Sequence, residues 1–272
     1  MPELPEVETV VRELRPHLVG RTIVHAAVYW ARTIASPEGD AELFVRQVRG
    51  RRIDRVGRRG KFVLIYLDQE CLVVHLRMSG QLLLDASGVE SHLRVAFDLA
   101  DGQRLHFYNQ RKFGRIWLVD DPRQVVGDLG PEPLSEALTV QAFVDLFAGR
   151  RGMIKPLLLN QRFLAGLGNI YVDESLFRAG LHPRRTADTL TKEEMVELYE
   201  AIRHVLRQAL DHHGTSFDGI FVRPEGERGR QQEGLCVYQQ TGLPCVRCGT
   251  PIRRMTLGGR GTHFCPHCQQ DK

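Results

Sequence analysis

The chain has 272 residues, 42% hydrophobic and 26% charged, a balance that excludes disordered and fibrous classes and leaves room for more than one core. Lysine and arginine total 37 against 33 acidic residues, a net charge of +4, too small for global charge to argue for a polyanionic partner. No apolar run approaches the ~18 residues of a membrane span, and Glu3, Glu6 and Glu8 stand where a secretory leader is basic and then apolar. A cytoplasmic location is expected, where six cysteines suit metal ligation or burial better than disulfides.

Val7, Val10, Val11, Leu14 and Leu18 recur at helical spacing behind Pro5, with Glu6 and Glu8 in the first turn, where the helix dipole favours acids. From residue 23 to about 119 the texture changes to short β-branched and aromatic runs, at 62–67, 72–76, 93–99 and 116–119, separated by Gly, Asp and Ser. That pattern predicts a β-sandwich or barrel. Within it Arg46, Arg49, Arg51, Arg52, Arg55, Arg58, Arg59 and Lys61 crowd together, interrupted only by Asp54. The run suits a polyanion, and equally a solvated arginine-rich strand pair.

Residues 127–133 (GDLGPEP) are turn formers and predict a linker. Beyond them Phe143, Leu146 and Phe147, then Ile154, Leu157 and Leu158, then Val172, Leu176 and Phe177 take helical spacing, and a longer amphipathic helix is expected over 192–212. No apolar face can be drawn through 214–234, which reads as a mobile loop. The last forty or so residues hold too little apolar material to fold without a metal. The expected organisation is α+β and multidomain: a catalytic domain over 1–130, a helical domain with its loop over 131–234, and a finger over 235–272.

Cys245, Cys248, Cys265 and Cys268 form two CxxC pairs 16 residues apart, the spacing of a structural zinc site with all four positions filled by protein. The stretch between them alternates and turns at Gly258 and Gly259, which predicts a β-hairpin with Arg260 near its tip, within reach of a phosphate. A finger that only holds partners together fits the same residues. His263 and His267 are expected at the surface, and Cys71, opening an apolar strand, as a packed thiol. Residues 155–180 read as a short helix, an extended turn with Gly166 and Gly168, and a helix beginning near Asn169. Such a helix start attracts phosphate, although a glycine turn between packed helices has the same pattern. At the amino terminus Pro2 follows Met1, a context in which the initiator is removed to free a secondary amine. With a pKa of about 8 that amine is partly unprotonated at neutral pH and able to form an iminium, with Glu3 beside it for proton transfer. Taken alone, Glu-Leu-Pro-Glu also reads as a plain helix start.

Taken together, PELPEVE at the start, HLRMSG at 75–80, RKFG at 111–114, GPEPL at 130–134, GLGNIYVDESLF at 166–177 and the cysteine pairs resemble, in order, the formamidopyrimidine-DNA glycosylase family, in its bacterial Fpg (MutM) rather than endonuclease VIII (Nei) branch. The resemblance runs over nearly the whole chain. It implies an N-terminal β-sandwich with a leading helix, a helix–two-turn–helix domain and a β-hairpin zinc finger, gripping damaged duplex DNA in a cleft. It implies an enzyme of the bacterial cytoplasm and nucleoid, monomeric, with one structural zinc and no diffusible cofactor. Such an enzyme excises 8-oxoguanine and formamidopyrimidines and then cuts the strand by β,δ-elimination. Pro2 would be the nucleophile, Glu3 the acid and Lys61 the phosphate-anchoring lysine of the active site. Asn169 and Arg260 would clamp phosphates, His75 and Lys155 would lie among the DNA contacts, and Glu6 and Glu174 would be supporting acids. Met78, Arg111 and Phe113 would fill the gap left by the extruded nucleotide. Two segments depart from the family pattern: Asn109-Gln110 stands where Asp-Pro is usual, and the base-covering loop over 215–234 fits loosely. A glycosylase for oxidised pyrimidines and a catalytically silent damage-binding protein are the alternatives.

Overall fold

The computed structural model describes residues 1–86, 90–217 and 221–271. The chain divides into two compact units, one of residues 1–128 with 212–232, the other of residues 129–211 with 233–272.

The first unit opens with helix α1 (Leu4–Leu18), which has proline in its first turn and a reciprocal capping box between Glu3 and Glu6. Its apolar stripe of Val7, Val10, Val11, Leu14 and Leu18 is buried as the spacing predicts, against strands β3 (Ile53–Arg59) and β4 (Phe62–Leu67). The other strands are β1 (Ile23–Val28), β2 (Ile34–Ser36), β5 (Cys71–His75), β6 (Gly80–Leu84), β7 (Leu93–Leu99), β8 (Arg104–Asn109) and β9 (Arg115–Val119). They form a four-stranded sheet ordered β1-β7-β8-β6 and a five-stranded sheet ordered β2-β9-β5-β4-β3. One apolar core, with Val63, Ile65 and Val74 from one sheet and Val95, Phe97 and Phe107 from the other, joins the two layers of the expected sandwich. The runs at 62–67 and 93–99 are β4 and β7; the other two predicted strands begin one residue early, at Cys71 and Arg115.

Helix α2 (Ala41–Val48) interrupts the β region, capped by Asp40 accepting the Leu43 N–H at 2.8 Å and burying Phe44 and Val48. The arginine run beside it does not form one basic face. Arg51 faces Asp68 and Glu70, Arg55 stacks 3.8 Å over the Tyr66 ring, and Arg58 pairs with Glu8 at 2.9 Å. A short helix, α3 (Arg123–Val126), ends the sandwich.

The sequence attaches residues 212–232 to the helical domain, whereas they pack with the sandwich. The Thr215 N–H donates to Glu6 at 2.7 Å, Arg223 pairs with Glu13 at 2.6 Å, and the Leu84 N–H donates to the Pro224 carbonyl at 2.9 Å. Residues 218–220 of the expected base-covering loop lie outside the described residues.

The second unit contains α4 (Val140–Asp145), α5 (Ile154–Leu159), α6 (Asn169–Arg178), α7 (Lys192–Asp211) and the hairpin of β10 (Arg253–Leu257) and β11 (Arg260–Phe264). Helix α6 packs on α5, α7 and β11, and Phe143 contacts the rings of Phe147 and Tyr199. The finger shares this unit's packing: Phe177 of α6 clusters with Val237, Cys245, Ile252 and Cys265. Among the described residues no helix is long and apolar enough to cross a membrane.

Candidate active site

Strand register gathers one group of predicted residues at a single end of the sandwich. Phe62 pairs with His75 and His75 with Arg115 in one sheet, while Gly80 pairs with Asn109 in the other. Three connections therefore meet there: the two-residue turn Gly60–Lys61 between β3 and β4, residues 76–79 between β5 and β6, and residues 110–114 between β8 and β9. Gly60, with φ 56°, opens its turn, as hairpin connections of this kind require. Lys61 is buried, and Arg58 steadies its turn by donating to the Gly60 carbonyl at 2.9 Å.

Met78 and Phe113 are 40% and 51% exposed, large apolar groups held out of the core, and the Arg111 guanidinium lies 5.5 Å from the Phe113 ring centroid. The three residues predicted to form the wedge thus sit on neighbouring turns, tied by the Arg111 N–H donating to Ser79 Oγ at 3.1 Å. Pro2, Glu3 and Glu6 are buried. The Glu3 N–H donates to Glu6 at 2.7 Å, so Glu6 holds both the amino-terminal segment and Thr215. Burial pulls the amino group of Met1 below the usual α-amino range; Glu3 and Glu6 oppose that shift, and Lys61 and Arg111 add to it. The amino terminus therefore shares one electrostatic neighbourhood with the acids, lysine and arginine expected around it.

His75, expected among the DNA contacts, is largely buried. Its ring is buried edge-on to Phe62, its Nδ1 accepts the Arg77 N–H at 2.9 Å, and burial together with Arg77 and Lys61 pushes its pKa down to about 3. The ring is therefore neutral at physiological pH and holds the start of the Met78 turn through the Arg77 N–H.

In the second unit Asn169 begins α6 and donates through Nδ2 to the Gly261 carbonyl at 2.8 Å. Gly261 follows Arg260, which is exposed at the hairpin tip beyond Gly258 (φ 55°) and Gly259 (φ 72°), the successive positive φ values of a tight two-residue turn. Lys155, expected among the DNA contacts, is fully buried: its Nζ donates to Asp173 at 2.6 Å and to the Gly261 carbonyl at 3.1 Å. It fixes the finger hairpin to α6. His263, expected at the surface, is buried with its backbone N–H donating to Asp173 at 2.9 Å, whereas His267 is exposed. Glu174 accepts the N–H groups of Cys236, Val237 and Tyr238 at 2.8–2.9 Å, although burial raises its pKa. It anchors the lead into the finger.

Asp173 was not singled out by the sequence. Its signal is an acid four residues after the helix start at Asn169, among apolar neighbours, which acquires meaning only once Lys155 and His263 are brought to it.

The four sulfurs of Cys245, Cys248, Cys265 and Cys268 lie within 4.8 Å of one another. The pairs 248–265 and 248–268 are 3.5 Å apart and the pair 245–268 is 3.9 Å apart. Four thiolates about 2.3 Å from a central zinc make a tetrahedron with edges of about 3.8 Å, so these residues fit one structural zinc. Cys71 is the packed thiol expected, its pKa raised by burial to about 12.

Family models match along the chain: the formamidopyrimidine-DNA glycosylase N-terminal domain over residues 1–116, the formamidopyrimidine-DNA glycosylase H2TH domain over 129–219, and the zinc finger found in FPG and IleRS over 242–270. Sandwich, helix–two-turn–helix unit and finger together define a zinc-finger DNA glycosylase of the helix–two-turn–helix class. The formamidopyrimidine-DNA glycosylase of Pelotomaculum thermopropionicum is 44% identical over 279 aligned positions, covering 100% of both chains, and that of Protochlamydia amoebophila is 40% identical, covering 99% of this chain and 100% of its own. Among solved structures, the MutM (Fpg) protein of Thermus thermophilus is 42% identical with a TM-score of 0.90, covering 100% of both chains. The Lactococcus lactis Fpg mutant G226P, in complex with Fapy-dG-containing DNA, is 35% identical with a TM-score of 0.91, covering 99% of this chain and 100% of that one. The chain belongs to the formamidopyrimidine-DNA glycosylase family.

Proposed function

We propose that this protein is a bifunctional DNA glycosylase and abasic-site lyase that removes oxidised purines, 8-oxoguanine and formamidopyrimidines, from duplex DNA. The observation that carries the reading is the setting of the amino terminus, where burial lowers the amine's pKa beside Glu3, Glu6, Lys61 and Arg111. Once Met1 is removed, the Pro2 nitrogen is a secondary amine next to the same groups. It attacks C1′ of the damaged nucleotide, the bond from C1′ to the base nitrogen breaks, and Glu3 protonates the ring oxygen as the sugar opens. The resulting iminium acidifies the C2′ proton, whose loss expels the 3′ phosphate. A second elimination expels the 5′ phosphate.

Lys61 anchors a phosphate near the amine; Asn169 and Arg260 bind backbone phosphates; Met78, Arg111 and Phe113 occupy the space vacated by the flipped base. Glu6 and Glu174 support this machinery through the backbone groups they hold. The protein works as a monomer on the nucleoid of the bacterial cytoplasm, and its binding to undamaged duplex weakens steeply as salt rises.

The test is borohydride trapping on duplexes carrying 8-oxoguanine opposite cytosine, an oxidised pyrimidine, or no lesion, with intact-mass measurement of the amino terminus and a Pro2→Gly variant. A covalent adduct on the 8-oxoguanine duplex, much weaker on the pyrimidine duplex, is the expected result. An adduct mainly on the pyrimidine duplex would reassign the substrate. No adduct at all, from zinc-loaded protein lacking Met1, would reduce the protein to a damage-binding relative.

A further inference from the structure

We infer that Asn109 is a positioning residue for the wedge, its side-chain amide joining the Met78 turn and the Phe113 loop into one rigid piece. The inference rests on the wedge reading proposed above. Asn109 ends β8 and is 1% exposed. Its Oδ1 accepts the Phe113 N–H at 2.8 Å, which fixes the orientation of the amide and turns Nδ2 toward the Leu76 carbonyl at 3.4 Å. The Leu76 carbonyl also accepts the Gly80 N–H at 2.9 Å, closing the turn that carries Met78. That turn has no slack: a Cβ on Gly80 would lie 2.3 Å from Leu76 O, and Arg77 is already left-handed with φ 56°. The facing loop has the same character, with Lys112 at φ 58°.

The backbone of Asn109 is fixed from behind. Buried Arg94 donates through Nε to the Asn109 carbonyl at 2.9 Å, and its other hydrogen bonds among the described residues go to the carbonyls of Ser91 and Leu93. Burying a guanidinium against carbonyls costs free energy unless its donors are satisfied, and here the satisfied donors immobilise the residue that spans the two turns. One amide therefore accepts from one wedge-bearing loop and donates to the other. A wedge must hold its shape against a stacked base pair, so loosening this tie should cost base extrusion rather than the chemistry that follows.

The experiment compares Asn109→Leu and Asn109→Ala with Asn109→Asp, which keeps the acceptor for the Phe113 N–H and loses the donor to the Leu76 carbonyl. Each is assayed on an 8-oxoguanine duplex and on a duplex with a preformed abasic site, where no base has to be extruded. The expected result is a loss of about tenfold or more in kcat/KM for Asn109→Leu and Asn109→Ala on the lesion duplex, a loss within about threefold on the abasic duplex, and a clear but smaller loss of lesion activity in Asn109→Asp, which holds only one of the two turns. Equal losses on the two duplexes, full lesion activity in Asn109→Leu and Asn109→Ala, or full lesion activity in Asn109→Asp would overturn the inference. Hydrogen exchange of the free protein gives a readout independent of catalysis: peptides spanning 76–80 and 110–114 should exchange faster together in Asn109→Ala, and only the 76–80 peptide in Asn109→Asp. Faster exchange in the 110–114 peptide alone would overturn the tie even if the wild-type protein proved inactive, an outcome that would count separately against the glycosylase reading.

Discussion

At the scale of single residues, the same side-chain type takes opposite parts according to what surrounds it. Lys61 sits on a turn at the amine end of the sandwich, while Lys155 is buried against Asp173 as an internal strut. A buried pair of this kind is costly to break, because the partner left behind is an uncompensated charge. His75 shows how environment sets protonation. Its pKa falls from 6.5 to about 3, chiefly through burial and then through Arg77 and Lys61. Above pH 6.5 the ring is neutral in both folded and unfolded chains and contributes no pH dependence. Between 6.5 and 3 the unfolded chain binds a proton that the folded chain refuses, so stability falls as pH falls, by up to roughly 1.4 kcal/mol per pH unit. Asn in place of His75 keeps an acceptor for the Arg77 N–H and cannot titrate. Urea denaturation of wild type and His75→Asn at pH 7.5, 6 and 5 should therefore give stabilities that converge as the pH drops; parallel curves would show that folding leaves the proton affinity of His75 unchanged.

At the scale of elements, strand spacing was readable because alternation and β-branching report half-buried and buried surfaces directly. Helix α2 was not read, since eight residues embedded among strands give too short a periodic signal. Its cap explains why it forms: Asp40 supplies the acceptor that the Leu43 N–H would otherwise lack, and Phe44 and Val48 then reach the core. Asp40→Ala should cost about 1 kcal/mol of stability, read from the midpoint shift of chemical denaturation with unchanged slope. A change in slope would instead mean that the cap shapes more than its own helix. The Gly258–Gly259 turn was legible for the opposite reason, because two adjacent glycines between alternating runs specify a tight hairpin almost by themselves.

At the scale of the whole molecule, the sandwich and the finger draw on different sources of stability. The sandwich has an extended apolar core, whereas the cluster that ties the finger to α6 consists of only a few buried residues, two of them the cysteines Cys245 and Cys265. Removing zinc should therefore act on one unit. Treatment with a strong chelator, or Cys248→Ser, should release the single zinc per chain that the four-cysteine cluster fits, open the finger to protease and weaken duplex binding about tenfold or more, while the sandwich stays folded. Loss of the sandwich's circular dichroism on chelation would contradict this division.

The sequence alone determined the local features: the leading helix, the principal strands of the sandwich, the hairpin turn and the four thiolates. Each depends on residues near one another in the chain, where periodicity, spacing and turn chemistry act. Tertiary structure decided what depends on residues far apart. It placed Lys61, Met78 and Arg111 at one end through strand register, and it took 212–232 into the sandwich through Glu6, Glu13 and Leu84. It also withdrew His75, Lys155 and His263 from the surface. A charged or titratable side chain looks the same in sequence whether it faces solvent or a buried partner, and only packing brings that partner within hydrogen-bonding distance.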